Sequence, residues 1–440
     1  MKKYHIFFLI NLVLILAGGL SAQTRVVPAP AQERPILLEG ATIHTGTGEV
    51  IENGLIGFAD GKITVVGAAG TTVPNRSSYE VVNVTSKHIY PGLVLVDSDL
   101  GLVEVNSVRA TFDYAEQGNF NPNVRSLVAY NTDSELIPTF RFNGILLAQS
   151  TPSSGIISGT SSVVQLDAWN WEDAAYHVDD AIHMNWPNKE FSPRWWMGET
   201  NARTNPEYEK LVSETEQLFA DALAYNSTTD KNETNLKLEA MKGLFNGEQA
   251  LFIHTSDAKA IIAATKMARK YGVERIIVVG GYEALLIKDF LISEKIPVVL
   301  NGIHELPEYD HEDTVFPYKM AKEFSDAGIE IIISGGSGYA ARNLCFYAGT
   351  TVAQGLDYEK AIEAMTLAPA KALGIADRAG SLETGKDAMI LIVEGDLLDM
   401  RTSKVEQAYI QGRKIQMDAR QQWLYKKYSE KYGHDIDGGR

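Results

Sequence analysis

From Leu251 to Ala340, short apolar runs alternate with helical stretches, and this alternation limits the fold more than any other feature of the chain. The runs are Leu251–His254, Arg275–Val279, Pro297–Leu300 and Ile329–Ile333. Helices are expected from Asp257, from Glu283, near Tyr318–Asp326 and from Ala340. Strands that are apolar throughout are buried on both faces, and strands separated by helices pair in parallel. Leu93–Val96 and Ile145–Ala148 extend the pattern upstream. A span of about 290 residues suits a closed eight-stranded β/α barrel of the TIM type. A doubly wound open sheet is the alternative, but no Gly-x-Gly-x-x-Gly follows a first strand, as its dinucleotide site would need.

Strand-like text also occurs at both ends. From Ile36 to Val84 apolar runs are punctuated by turns, and Asp60-Gly61 between two of them signals a hairpin. Met389–Val393 and Gln407–Ile415 form the other patch. Neither patch can bury a core alone. The economical arrangement is a small β-sandwich made from residues 34–90 and 380–417, with the barrel, residues 91–379, inserted between them. Residues 23–33 read as a linker and 418–440 as a C-terminal helix and tail. Five of the six tryptophans crowd between Trp169 and Trp196, with Tyr176, His177 and His183. That segment reads either as a cap over the barrel mouth or as a satellite core. Residues 206–245 read as two amphipathic helices on the outside of the barrel.

Lys2 and Lys3, an apolar run from Ile6 to Ala17 and small residues to Ala22 have the layout of a secretory signal cut after Ala22. The expected location is therefore periplasmic or extracellular, with no stable membrane anchor after cleavage. Cys345 is the only cysteine, so no internal disulfide forms, and its apolar context reads as packing. The net charge of −16 argues against nucleic acid or an anionic membrane as the main partner. Ser158-Gly159-Thr160-Ser161-Ser162 is not a nucleophile elbow, and no Walker-type loop or CxxC pair exists.

Tyr90-Pro91-Gly92-Leu93-Val94-Leu95-Val96-Asp97-Ser98-Asp99 resembles the segment with which metal-dependent amidohydrolases enter their barrel. Thr366–Gly374 and Gly380–Ala388 are similar to that family's last helix and its return into the small domain. The likeness runs from about Arg34 to Met417 and is nearest to the imidazolonepropionase-like and dipeptidase-like branches. It implies a site for one or two divalent ions at the barrel mouth. The ligands implied are a His-x-His pair on strand one, in some members a lysine or glutamate on strand four, histidines after strands five and six, and an aspartate after strand eight. A carboxylate from the last strand is the implied proton acceptor.

Asp97 and Asp99 stand at the His-x-His positions, and His254 stands after strand five. Strand six ends in Gly280-Gly281-Tyr282 without a histidine, and strand eight in Ser334-Gly335-Gly336-Ser337 without an acid. The strand-four position has no evident occupant. Residues two apart on a strand face the same side, so Asp97 and Asp99 are expected to share one pocket with His254. Such an oxygen-rich set suits no metal, or one hard divalent cation in preference to zinc. The glycine-rich turns expose backbone N–H groups that favour an anion. Gly281, Tyr282, Gly336, Ser337, Arg342 and Asn343 are the candidate ligand-binding residues there. His304, Glu308, Asp310 and His311 match no metal spacing and read as a solvated loop. Losing this many ligands points to a non-catalytic binding or partner subunit, with a small molecule at the mouth and a protein partner or second copy. The alternative is an active hydrolase of C–N bonds with an altered metal site.

Overall fold

A computed structural model describes residues 27–105, 107–228, 233–336 and 338–434. The proposed signal and Ser337 lie outside the described residues. Both ends of the chain build one sheet, from β1 (Ile36–His44), β2 (Val50–Ala59), β3 (Lys62–Ala68), β4 (Glu80–Asn83) and β5 (His88–Pro91). β16 (Ile390–Glu394), β17 (Lys404–Ile410) and β18 (Arg413–Ile415) complete it. Its order is β18-β17-β16-β5-β1-β2-β3, with β4 also paired to β1. The β2–β3 turn is Asp60-Gly61, with φ of 50° and 78°. Positive φ at both central residues matches the right-handed twist of a tight hairpin. Leu38, Ile43, Ile56, Phe58, Ile89, Ile390, Ile392 and Tyr409 pack as this sheet's own core.

The second sheet is the barrel. Its strands are β6 (Leu93–Ser98), β7 (Ile145–Ser150), β8 (Ile157–Gln165), β9 (Ala175–Asn185), β12 (Ala250–Thr255), β13 (Ile276–Gly280), β14 (Val298–Leu300) and β15 (Ile331–Ile333). They lie in chain order around a curled sheet. β10 (Glu190–Phe191) and β11 (Arg203–Thr204) form a separate short hairpin. The edges β15 and β6 meet where the Ser334 hydroxyl donates to the Val96 carbonyl. The architecture is thus the expected TIM-like barrel beside a sheet from both chain ends.

One strand departs from the expected parallel arrangement. β8 runs antiparallel to both β7 and β9, while β6–β7 and every pair from β9 to β15 are parallel. The cause is connection length. Residues 151–156 and 166–174 are shorter than the crossover of about a dozen residues that parallel neighbours need. This also corrects the reading of the Trp-rich segment as a cap or satellite core. Its middle, Ala175–Asn185, is β9, a barrel strand, and Trp186 is buried, while Trp169 and Trp196 remain exposed at its margins. Of the two helices expected over 206–245, the first spans Tyr208–Ser227 and the second is broken into Leu236–Ala240 and Lys242–Asn246. Asp257 caps the helix Ala258–Lys270 by accepting from the Ala260 N–H at 2.7 Å. Among the described residues no helix is long and apolar enough to cross a membrane.

Candidate metal centre at the barrel mouth

The three strands β6, β9 and β12 bring Asp97, His183 and His254 together, so that one ligand atom of each lies within 4.8 Å of the others. Parallel register sets His183 beside Phe252 and Asn185 beside His254. The His183 Nδ1 and His254 Nε2 atoms are 3.0 Å apart. Two nitrogens bound tetrahedrally to one ion at ~2.1 Å would stand roughly 3.4 Å apart. The other His254 nitrogen, Nδ1, is 3.9 Å from Asp97 Oδ2. His183 is fully buried, its ring stacks on Phe252 at 4.9 Å, and its Nε2 has no partner among the described residues. Burial first, and then the neighbouring His254, hold the His183 imidazolium well below its usual range. The ring is therefore neutral and keeps a lone pair for an ion. Two imidazoles and a carboxylate fit a divalent metal by their chemistry as well as their spacing.

Asp97 is held in an unusual way. Its φ is +55°, a left-handed conformation for a residue at the end of a strand, and the β6–β7 register shifts between Leu95 and Ser98. Strained backbone of this kind persists where its surroundings fix it. Here the Asp97 N–H donates to Gln149 Oε1 at 3.1 Å. Gln149 Nε2 in turn donates to Asp180 Oδ2 at 2.7 Å and to Ser161 Oγ at 3.1 Å, and Ser161 donates to Asp180 Oδ1 at 2.9 Å. Gln149, Ser161 and Asp180 are all completely buried. Burial pushes the Asp180 carboxyl up to about 6, against the hydrogen bond from Ser161.

The left-handed turn at Asp97 also breaks the strand alternation that was expected to pair it with Asp99. Asp99 lies beyond the end of β6, outside the three-residue cluster, and its Oδ1 accepts from the Gly338 N–H at 2.7 Å. Burial raises its carboxyl, the Gly338 bond opposes this, and the charge on Asp97 adds to it. His183 takes the place that Asp99 was expected to hold. It is the residue that sequence reasoning missed. The run Ala181-Ile182-His183-Met184-Asn185 has the apolar character of a buried strand, but the surrounding tryptophans drew it into a different reading.

At the glycine turns two of the N–H groups are already engaged. Gly281 donates to the Thr255 carbonyl at 3.0 Å, and Gly338 to Asp99. Gly336 has φ +63°, a turn conformation. Tyr282 donates to Glu312 Oε2 at 2.5 Å and accepts from the Glu308 N–H at 3.0 Å, so its phenol serves the loop after β14. Arg342 stacks over Tyr339 at 3.8 Å and donates to the Tyr339 carbonyl, and Asn343 bonds the Tyr347 phenol. Among the described residues, Tyr282, Arg342 and Asn343 thus bond separate neighbours. At strand eight there is no room for an acid at Gly335, because a Cβ there would meet Ala341 Cα at 2.4 Å. His304 bonds Thr350 Oγ1 at 2.6 Å and stands apart from the cluster.

The sequence profile of the amidohydrolase family matches residues 321–418. Imidazolonepropionases of two Porphyromonas gingivalis strains are 26% identical over 163 residues, which cover 33% of this chain. The chain spans 38% of the length of these curated relatives. An amidohydrolase structure from Thermotoga maritima superposes with a TM-score of 0.75 at 24% identity, covering 87% of this chain and 99% of that one. A Xaa-Pro dipeptidase with bound methionine in its active site gives 0.54 at 14% identity, over 87% of this chain and 100% of that one. The solved structures establish the barrel and its flanking sheet as a shared fold. The profile match and the two relatives make the chain similar to amidohydrolases in sequence as well as in fold.

Proposed function

We propose that the protein binds one divalent metal ion through Asp97, His183 and His254 and hydrolyses a C–N bond, of an amide, cyclic amide or peptide, at the barrel mouth. The observation that carries this reading is the convergence of those three side chains from β6, β9 and β12. An ion held there supplies an activated water and polarises the scissile carbonyl. Because the donors are two nitrogens and one oxygen, zinc or another ion of intermediate softness is favoured over calcium or magnesium. This reverses the preference that the Asp97–Asp99 pair suggested. Gln149 holds the Asp97 backbone, and Phe252 orients the His183 ring.

A second reading, a non-catalytic binding or partner subunit, is favoured by Gly280 and Gly335 at the ends of strands six and eight, where the family resemblance implies a histidine and an acid. Metal analysis of the chelator-free protein, with hydrolysis assays on N-acyl amino acids, dipeptides and cyclic amides, separates the two. The expected result is one equivalent of a transition metal, with affinity at least about 100-fold lower in His183→Ala. Metal without turnover across the panel would favour the binding subunit. Absence of any ion would end the hydrolase proposal. From the signal-like layout of Lys2 to Ala22 we also propose that the mature protein lies outside the cytoplasm, and mass analysis of the exported chain should give a start at Gln23.

A further inference from the structure

A second cavity lies far from the metal centre. It has a volume of about 540 Å³ and is walled by the helix Ile137–Phe142, the segment after β8 and the C-terminal helix Arg420–Tyr432. Because β8 is antiparallel, the residues after Gln165 sit at the opposite end of the barrel from its mouth. Nine residues of strand put roughly 30 Å between the two ends. Cavities that hold small molecules are mostly apolar, of roughly 300–1,000 Å³, with a few placed polar groups. This one has Ile137 and Pro138 on one side and the indoles of Trp169 and Trp423 at its edge, 66% and 41% exposed.

Its wall also contains a buried cation with two unpartnered nitrogens. Arg141 is 2% exposed and pairs through Nη1 with Asp167, but its Nε and Nη2 atoms have no partner among the described residues. Asp167 is shared, since its Oδ2 also accepts from Arg413 Nη1 at 2.9 Å and from the Ala29 N–H at 2.8 Å. Two guanidinium groups thus face one carboxylate. Gln422, across the cavity wall, has a buried Oε1 that is likewise unpartnered. Buried polar groups left without partners are costly, so several gathered around one cavity point to a missing ligand. Arginine presents its N–H groups in a planar fork that matches a carboxylate.

We infer that this cavity is a second binding site, for a small aromatic carboxylate whose acid group pairs with Arg141 and whose ring packs against Trp169 and Trp423. The inference does not depend on the metal centre. Indole-3-acetate and its uncharged counterpart 3-methylindole are suitable probes, titrated calorimetrically into the full chain. The acid should bind with one-to-one stoichiometry and at least about tenfold more tightly than 3-methylindole, because only the acid satisfies the guanidinium. Trp423→Ala should weaken the acid at least about tenfold while metal content stays as in the wild type. Arg141 itself is left intact, because breaking its buried pair with Asp167 would endanger the fold. Equal affinity for the two probes, no binding of either at millimolar concentration, or an unchanged affinity in Trp423→Ala would each overturn the proposal.

Discussion

Strands β7–β9 and strands β12–β15 stand on two flanks of the same barrel, but only β7–β9 bury polar side chains among their apolar ones. On the second flank Leu251–Ile253, Ile276–Val279, Val298–Leu300 and Ile331–Ile333 are apolar and buried without exception. On the first, Gln149, Ser161, Ser162, Asp180 and His183 are just as deeply buried. An apolar flank is held by area removed from water, which is insensitive to direction. A polar flank is held by hydrogen bonds, each of which fixes an orientation and is costly to leave half made. The candidate metal centre sits where the flanks meet, with His183 from one, His254 from the other and Asp97 held by Gln149. Packing supplies the frame, and the polar network supplies the aim.

If the flanks divide their roles in this way, replacements should separate stability from metal binding. The largest effect is expected at Ile332, fully buried in β15. Ile332→Ala should cost about 2–5 kcal/mol in urea unfolding and leave metal stoichiometry unchanged. Loss of the ion in a folded Ile332→Ala protein would show that the flanks are not separable.

A smaller effect, dependent on pH, is expected from Asp180. Its folded carboxyl is pushed up to about 6, above the usual carboxylate value of 3.8, because burial penalises its charge. A raised acid favours folding only while protonated. Its contribution is therefore complete below the unfolded value and is lost as the pH rises through about 6. That loss should be on the order of 3 kcal/mol between pH 4 and 7. Measured as urea stability against pH, the slope should flatten in Asp180→Asn. An identical profile in the variant would remove Asp180 from the account.

The smallest effect is expected at Ser161. Ser161→Ala removes one hydrogen bond to Asp180 and should cost about 1 kcal/mol near neutral pH. The cost should shrink at pH 4–5, where the protonated carboxyl depends less on that donor. An equal cost at both pH values would mean that Ser161 acts by packing alone.

The second core and the strand positions of the apolar flank were legible in the sequence because both rest on local pattern. Continuous apolar runs gave β12 to β15 to within about two residues at each end, and Asp60-Gly61 gave the β2–β3 turn. His254 and Asp97 were legible too, since each closes such a run. His183 was not. The short run around it, Ala181–Asn185, suits a buried strand, but its neighbours Trp186 and Tyr176 are aromatic whether the segment is a cap or a strand. The pairing of Asp97 with Asp99 failed for a different reason. Strand alternation assumes extended backbone, and φ +55° at Asp97 turns the chain before Asp99.

By itself the sequence determined the strands of the apolar flank, that both chain ends share one sheet, and that a barrel lies between them, because hydrophobic period and chain length act locally. Only the tertiary structure decided that β8 turns back on β7 and that His183 meets His254 across 71 residues. Only it left Arg141 with an unsatisfied fork beside an open cavity. Each of these is a matter of which distant groups complete one another's hydrogen bonds, and no window along the chain contains both partners.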